Sequence, residues 1–329
     1  MAVRNIVETV AHTLREEMRR DSRIIVIGED VAKIGGVFQA TKGLLSEFGP
    51  ERVIDAPLAE SSLVGIAVGA AAAGLRPVVE IQFADFIYPA MDQIINEAAR
   101  LRYRSNNGYH CPLVIRTPYG VAPGGGGGLY HNQSVEGMFC GVPGLKIVAP
   151  ATPYDTKGLL IAALRDPDPV LFLEHKATYR AVSGEVPDEE YTIAIGKADV
   201  KREGRDLTVI AYGLMLHQAL AAAEKLAKSH IDVEVVDLRS LKPLDKELIC
   251  RSVRKTGKAL VAHEDCLSGG IGGEIAAVIM EECFFHLDAP VMRVAAPDIP
   301  LAPYSRHLEE HVVPGRAALE KAMRELARF

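Results

Sequence analysis

The chain lacks the cysteine patterns that mark disulfide-stabilised and thiol-redox proteins. Its 329 residues include five cysteines, spread over positions 111, 140, 250, 266 and 283, and no two form a C-x-x-C pair. Cysteines that are few and widely separated, with no signal peptide ahead of them, are typical of proteins in a reducing compartment. We see no presequence and therefore expect a bacterial-type cytoplasmic protein.

The chain also lacks long runs of positive charge and long apolar runs. Its formal net charge is -6 and its pI is about 6.0, so we expect neither nucleic acid nor a membrane as a partner. The longest apolar stretch, SLVGIAVGAAAAGL over 62–75, is shorter than the roughly 20 residues that a membrane span needs. We predict that this stretch forms a buried helix.

What the sequence does contain is a regular alternation of strand and helix patterns. An amphipathic helix over 6–19 precedes the strand RIIVIGED, and VIDAP, RPVVEIQ, PLVIRTP, LKIVAP and PVLFLEH follow as further strands. After residue 206 the same alternation resumes with LTVIAYG, VEVVDL, KALVAHE and VMRVAA. The pattern predicts an α/β fold of two domains, each a mostly parallel sheet covered by helices.

One segment interrupts this alternation with charge, glycine and proline. It covers roughly ATYRAVSGEVPDEEYTIAIGKADVKREGRD and is typical of a crossing between domains. We therefore predict a first domain over 1–185, a linker over 186–206 and a second domain over 207–329.

A carboxylate stands at the start of the apolar helix, in VIDAPLAESSLVGIAVGAAAAG. Glu60 follows a strand, and the small residues Gly65, Gly69 and Ala73 on the same helix would let another backbone approach closely. Glu60 is either an ordinary acid favoured by the helix dipole or a desolvated acid with a raised pKa that shares a proton with a ligand nitrogen. The residues alone leave both interpretations open.

The segment Glu60-x4-Gly65-Ile66-x-x-Gly69 resembles the E-x4-G-Φ-x-x-G signature of the pyrimidine-binding domain of thiamine diphosphate enzymes. The flanking EIQFADFIYPAMDQIINEAARLRYRSNN, LYHNQS, PGLKIVAPATPYDTKGLL and VVDLRSLKPLD resemble the β subunit of the E1 component of 2-oxo acid dehydrogenase complexes. This resemblance runs nearly end to end. It implies a transketolase-like pyrimidine-binding domain followed by a transketolase C-terminal-like domain.

The resemblance implies roles for residues that their surroundings alone would not single out. Glu60 would hydrogen-bond N1′ of the aminopyrimidine and favour its imino tautomer, so that the cofactor can act as the nucleophile on a 2-oxo acid. Phe86 would pack against the aminopyrimidine ring, although an aromatic at such a junction is usually part of the core. Gln82 is a weaker cofactor contact. Glu29 would join an acidic path between two sites, unless it is a solvent-facing acid at a strand end.

Five consecutive glycines precede Leu-Tyr-His in PYGVAPGGGGGLYHNQS. The run lacks the Lys-Ser/Thr of a phosphate-binding loop and does not open a long helical pattern, so we predict a mobile tether. The resemblance implies that His131 contacts the substrate carboxylate and assists acyl transfer to lipoamide. Branched-chain relatives often have G-H-G-A-L-Y-H here, and Gly126 replaces their first histidine.

The sequence contains no G-D-G, the motif that supplies magnesium ligands in this superfamily. The resemblance therefore implies an α subunit that holds Mg²⁺ and the diphosphate in an α2β2 tetramer, so that this chain alone would be inactive. The second domain would serve assembly and docking to the lipoylated E2 core. The family also binds potassium through backbone oxygens, at positions matching Leu113, Ala163, Leu164, Asp166 and Asp168.

Other interpretations remain at this point. The spacings His263-x2-Cys266 and Cys283-x2-His286 superficially suggest zinc, and LSGGIGGEIA suggests a dinucleotide fingerprint without matching it. Within the resembling family the substrate is a branched-chain 2-oxo acid, which we favour, or pyruvate or acetoin. Outside it, the chain would be an NAD-dependent oxidoreductase or a non-catalytic scaffold subunit.

Overall fold

The structure is a computed structural model that describes residues 1–122, 127–300 and 303–329. Its helices are α1 (Ile6–Arg20), α2 (Leu44–Phe48), α3 (Glu60–Ala72), α4 (Leu101–Arg104), α5 (Glu136–Cys140), α6 (Pro153–Arg165), α7 (Gly213–Ala227), α8 (Lys246–Thr256), α9 (Ile271–Cys283), α10 (Arg306–Val312) and α11 (Arg316–Leu326). Its strands are β1 (Ala2–Asn5), β2 (Ile24–Gly28), β3 (Val53–Asp55), β4 (Arg76–Glu80), β5 (Val114–Tyr119), β6 (Lys146–Val148), β7 (Val170–His175), β8 (Ser183–Val186), β9 (Asp199–Arg202), β10 (Leu207–Ala211), β11 (Val233–Asp237), β12 (Ser240–Lys242), β13 (Ala259–Cys266) and β14 (Met292–Ala296).

The chain divides into two compact units. The first consists of residues 1–119 and 141–195, and the second of 120–140 and 196–329. Each unit has a mostly parallel sheet with helices, which confirms the predicted α/β class. The predicted domain boundaries stay predictions; strand β9 lies within 186–206, the segment predicted as a linker.

In the first unit, neighbouring strands follow the order β6-β7-β5-β4-β2-β3, and every one of these pairs is parallel. All five residues of β2 are buried, as expected for a parallel strand covered on both faces. Gly28, the last residue of β2, pairs with Asp55 of β3 on one side and Glu80 of β4 on the other. The three strands therefore end side by side, and the residues that follow them emerge at one edge of the sheet.

The predicted amphipathic helix over 6–19 is confirmed as α1. Asn5 and Glu8 form a capping box at its start, because the Asn5 side chain accepts from the Glu8 N–H and the Glu8 carboxylate accepts from the Asn5 N–H. The apolar side of α1, including Leu14 and Met18, packs into the core of the unit together with Leu160 of α6. This core fixes α1 beside the sheet.

The apolar stretch predicted as a buried helix forms the helix α3, and the chain itself buries part of that helix. Helix α3 buries one side only, and Ile66 keeps 64% of its surface exposed. A sequence that is apolar on all sides does not show which face of a helix is covered. Among the exposed residues, Ser62, Ile66 and Gly69 follow one another at helical spacing, and Ala73 continues this line just past the helix end.

In the second unit the strand order is β14-β13-β10-β11-β9, and only β9 runs antiparallel to its neighbour among these pairs. Strands β10 and β11 are completely buried, again as expected for a covered parallel sheet. No helix in the described ranges is long and apolar enough to cross a membrane.

Candidate functional site

Three of the predicted site residues lie where adjacent strands of the first unit end. Glu29 directly follows β2, Glu60 opens α3 after β3, and Gln82 follows β4. Because β4, β2 and β3 are parallel neighbours, the structure places these residues at one edge of the sheet. The carboxyl edge of a parallel sheet is where ligands bind in open α/β folds.

Glu29 is a buried acid, not the solvent-facing one of the alternative interpretation. Burial raises the pKa of its carboxyl group, and the negative charges of Glu60 and Asp30 raise it further. Its Oε1 atom is buried and has no hydrogen-bond partner among the described residues. Glu29 therefore lies in the electrostatic field of Glu60, and its buried oxygen can accept a hydrogen bond from a ligand.

Gln82 and Phe86 complete this edge. The Gln82 Nε2 atom donates to Oδ2 of Asp30 at 3.4 Å. Phe86 ends a short 3₁₀ turn, Ala84–Phe86, and its half-buried ring meets the ring of Phe83 edge-on at a centroid distance of 5.9 Å. Phe83 in turn packs against Phe38 at 5.6 Å, so the Phe86 ring belongs to an aromatic cluster that orients it.

A buried ion network that sequence reasoning missed lies in the same sheet. The Arg116 guanidinium donates to both oxygens of Glu174 at 2.7 and 2.8 Å and to Oε2 of Glu80 at 2.7 Å. The Tyr179 hydroxyl donates to Glu174 at 2.6 Å. Burial raises the pKa of the Glu80 carboxyl group, while the Arg116 charge opposes that rise.

A signal for this network was present in the sequence. Glu80, Arg116 and Glu174 are single charges inside otherwise apolar strands, VVEIQ, LVIRTP and VLFLEH. A buried charge needs a partner. However, the partners lie 36 and 58 residues apart along the chain, and only the strand order brings them together.

His131 belongs to the second unit, where it follows a 3₁₀ turn, Gly128–Tyr130. The side chain is half-buried, and its Nδ1 atom lies 3.2 Å from the Gly127 carbonyl oxygen. Gly127 has a φ of +101°, and a Cβ there would lie 2.7 Å from the His131 Cβ, so the turn requires glycine. Gly126 lies outside the described residues, and the tether and the departure at this position stay predictions.

Two acids at the end of β13 hold the segment that carries His131. The Glu264 Oε1 atom accepts from the Val121 N–H at 2.5 Å, ahead of the histidine. The Asp265 Oδ2 atom accepts from the Gly137 N–H at 3.1 Å, after it. Each bond joins two parts of the second unit, so β13 anchors both sides of the His131 segment.

A third acid lies in the same region of the second unit. Glu136 is fully buried, and its Oε1 atom accepts from the Tyr212 hydroxyl at 2.7 Å. Burial, together with the negative charge of Asp265, raises the pKa of Glu136 to about 8. The raised pKa favours the neutral form of Glu136, which limits charge repulsion among these acids.

The residues predicted to offer backbone oxygens to potassium lie on two adjacent segments. The Val170 N–H donates to the Leu113 carbonyl at 2.9 Å, which joins the start of β5 to the segment after α6. Nη1 of Arg76 donates to the carbonyls of Leu164 and Asp166 at 2.8 and 3.3 Å. A carbonyl oxygen has two lone pairs and can accept a second contact. The residues whose backbone oxygens are predicted to bind potassium are Leu113, Ala163, Leu164, Asp166 and Asp168.

The histidine of the zinc alternative is a packed core residue. His263 is fully buried, and a Cβ at Gly270 or Gly272 would lie 2.6 or 2.5 Å from its ring. Those glycines open α9 directly after β13, so close strand-to-helix packing accounts for the glycine-rich LSGGIGGEIA. In the part of the chain that the structure describes, no group of three or more His, Cys, Asp or Glu side chains could hold a metal ion.

Comparison with protein families finds two matching domains, and the first of them includes residues 120–140, which the structure groups with the second unit. Residues 3–182 match the transketolase pyrimidine-binding domain, and residues 196–319 match the transketolase C-terminal domain. Among solved structures, the chain resembles an inactive β4 tetramer of a split-gene transketolase with a TM-score of 0.79. That match has 26% sequence identity and covers 98% of both chains.

Individual relatives are more similar still. The chain is 56% identical to the 2-oxoisovalerate dehydrogenase subunit beta of Bacillus subtilis over the full length of both proteins. It is 50% identical to the pyruvate dehydrogenase E1 component subunit beta of the same organism over 91% of each chain. It is 47% identical to the mitochondrial 2-oxoisovalerate dehydrogenase subunit beta 2 of Arabidopsis thaliana over 90% of this chain and 82% of that one.

Proposed function

The chain belongs to the family of 2-oxo acid dehydrogenase E1 β subunits, and we propose that with an α subunit it forms the E1 component of a branched-chain 2-oxo acid dehydrogenase complex. The observation that carries this proposal is the 56% identity, from end to end, to a 2-oxoisovalerate dehydrogenase β subunit. The reaction is the oxidative decarboxylation of a branched-chain 2-oxo acid with transfer of the acyl group to lipoyl-E2.

The sheet edge fits the pyrimidine part of thiamine diphosphate. The buried Glu29 Oε1 has no partner in the described ranges and lies in the field of Glu60, so the edge suits a ligand that brings nitrogen donors. When bound, the cofactor supplies the electron sink for decarboxylation. Glu60 would hold a proton at the pyrimidine N1′, and Phe86 would orient the ring by packing against it.

His131 would act on the substrate side, by contact with the substrate carboxylate and by assisting acyl transfer. An imidazole whose Nδ1 faces a backbone carbonyl, as at Gly127, is held in one orientation. The bonds from Glu264 and Asp265 to the flanking backbone keep the segment in place. Changing His131 to Ala should therefore lower turnover without loss of folded protein.

A second chain would complete the site. The sequence has no G-D-G, so the Mg²⁺ ion and the cofactor diphosphate would be held by an α subunit in an α2β2 tetramer. The exposed face of α3 supports contact with another chain, because Gly69 has no atom within 4 Å of where its Cβ would be. The isolated chain should have no decarboxylase activity at any thiamine diphosphate concentration, and robust activity would refute the two-chain proposal.

Replacement of Glu60 tests the catalytic assignment. Glu60→Gln keeps the shape of the side chain and removes the acid, so we expect near-complete loss of decarboxylation by the reconstituted enzyme. Glu51→Gln, at an exposed position in the same unit, is the matched control and should keep wild-type activity. Loss of activity with tetramer assembly intact would exclude a non-catalytic scaffold; substantial turnover by Glu60→Gln would refute the role of Glu60.

The substrate is the part of the proposal that needs a direct assay. The branched-chain relative is more similar than the pyruvate relative, at 56% against 50% identity. The reconstituted enzyme should have its highest kcat/KM with branched-chain 2-oxo acids in a panel that includes pyruvate and acetoin. A preference for pyruvate or acetoin would reassign the substrate. Reduction of NAD by the chain without thiamine diphosphate would instead support a nicotinamide-dependent oxidoreductase.

Three further parts of the proposal rest on the resemblance to the E1 β family. Potassium would bind the backbone oxygens named above, and thermal stability should then be higher in KCl than in an equal concentration of NaCl.

The second unit would dock the lipoylated E2 core, which co-purification with a tagged E2 would test. The protein would act in the bacterial-type cytoplasm, which cell fractionation would test.

A further inference from the structure

A cleft of about 830 Å³ opens at the amino-terminal end of the first unit. Strand β1, the first turns of α1, a loop around Gln39 and Lys42, and Arg180 line it. None of the residues predicted to bind thiamine diphosphate or substrate is among its lining residues. Its volume is in the range of small-molecule sites, about 300–1,000 Å³.

The walls of this cleft carry an excess of positive charge. Its cations come from four separate points of the chain, Arg4, Arg15, Lys42 and Arg180, whereas Glu8 is the acid among its lining residues. The Glu8 carboxylate is already engaged, because it accepts from the Asn5 N–H at 3.0 Å in the capping box of α1. A surplus of cationic side chains around one concave site attracts anions.

The cationic side chains of the cleft differ in how many of their N–H groups already have hydrogen-bond or ion-pair partners. Arg15 is well paired, with Nε 3.1 Å from Glu47 and Nη2 donating to the Lys42 carbonyl at 3.0 Å. Arg4 reaches Asp188 only at 3.5 Å, and its Nη1 is buried with no partner among the residues described. One buried donor of the Arg4 guanidinium is therefore without a hydrogen bond, and the Arg4 residue lines the cleft.

The other two cations also make long contacts. Lys42 Nζ lies 3.3 Å from Gln39 Oε1, and Arg180 Nη2 donates to the Phe38 carbonyl at 3.3 Å. Gln39 also lines the cleft. Its φ is +65°, a conformation that non-glycine residues rarely adopt. A residue in a rarely adopted backbone conformation and two cations with long hydrogen bonds therefore line the same cleft.

We propose that this cleft binds a small anion that carries one or more phosphate groups. Guanidinium groups bind phosphate through paired, charge-assisted N–H···O bonds, and Arg4 and Arg180 are two such groups among the lining residues. His12 also lines the cleft, and burial together with the Arg4 charge lowers its pKa. The site goes beyond the proposed decarboxylase function and does not depend on it.

Isothermal titration with inorganic phosphate and with pyrophosphate tests this proposal. It uses the full chain and the α2β2 enzyme already saturated with thiamine diphosphate and Mg²⁺, so that the cofactor's own diphosphate site is filled. We expect saturable binding to both, with tighter binding of pyrophosphate. Arg4→Gln and Arg180→Gln should each weaken it about tenfold, the effect of one charge-assisted hydrogen bond.

Arg205→Gln, at an exposed arginine of the second unit, is the matched control and should bind like the wild type. Arg4→Lys keeps the charge and should bind more tightly than Arg4→Gln, which separates loss of the ligand contact from loss of the fold. Absence of saturable binding, or equal binding by every variant, would overturn the proposal. Binding to the isolated chain but not to the tetramer would overturn it as well, since a partner chain would then cover the cleft.

Discussion

The sheet edge of the first unit and the His131 segment of the second hold their candidate residues in different ways. Glu29, Glu60 and Phe86 follow adjacent parallel strands, so the backbone ladder itself brings them to one edge. His131 lies on a segment without long regular elements, and side-chain carboxylates of β13 hold its flanks. A substitution in the strands of the first sheet should thus lower the stability of the fold. A substitution that loosens the His131 segment should lower catalytic activity more than stability.

The largest effect should come from the ion network in the first sheet. Arg116→Met leaves the Glu80 and Glu174 carboxylates buried without their cation, and removal of one partner from such a network costs about 3–5 kcal/mol. We expect the free energy of unfolding, measured in urea by circular dichroism, to fall by this amount. Tyr179→Phe removes only one hydrogen bond to the network and should cost about 1 kcal/mol. Equal stability of Arg116→Met and wild type would contradict this account.

The next largest expected effect is a loss of stability at low pH that arises in the core of the second unit. Burial lowers the pKa of His263 to about 4, against 6.5 for an ordinary histidine. The unfolded chain therefore binds a proton between these values that the folded chain does not, so stability is complete above pH 6.5 and falls as the pH drops towards 4. The loss is on the order of 3 kcal/mol.

Acid unfolding of two variants checks this expectation. His263→Gln should flatten the pH dependence between 6.5 and 4, because a neutral side chain replaces the titrating group. His286→Gln, at an exposed histidine of the same unit, should leave the slope unchanged. A slope that persists in His263→Gln would assign the acid sensitivity to other groups.

A smaller effect on stability, with a clear effect on turnover, should follow loss of the Glu264 anchor. Glu264→Ala leaves the Val121 N–H without its acceptor, at a cost of about 1–3 kcal/mol. If the anchor orients His131, kcat of the reconstituted enzyme should fall at least about tenfold, while the KM for thiamine diphosphate stays near wild type. Glu264→Gln keeps an acceptor and should restore most of the turnover. A fall in stability without a change in kcat would make the anchor purely structural.

The smallest expected change is an increase in stability. A Cβ at Gly69 meets no atom within 4 Å, so Gly69→Ala should stabilise the isolated chain by up to about 1 kcal/mol through helix propensity. If α3 packs closely against another chain, the same change should weaken tetramer assembly, measured by analytical ultracentrifugation. Unchanged assembly would show that the exposed face of α3 is not a close interface.

Sequence patterns predicted the parts of the structure that depend on local order. The periodicity of 6–19 predicted α1 to within one residue, and the alternation of patterns predicted two mostly parallel sheets. The position of Glu60 between a strand and a helix followed from the same reasoning. In contrast, α3 is apolar on all sides, so no pattern in it could show that Ile66 is exposed.

The sequence by itself determined the family, the residue types at the candidate site and the order of strands and helices, because each of these depends on local composition and spacing. The tertiary structure alone decided which acids are buried and which meet. Glu29 lies in the field of Glu60, and Arg116 is hydrogen-bonded to Glu80 and Glu174, since parallel strands distant in the chain lie side by side. Burial and charge coupling depend on distances in space, which spacing along the chain does not specify.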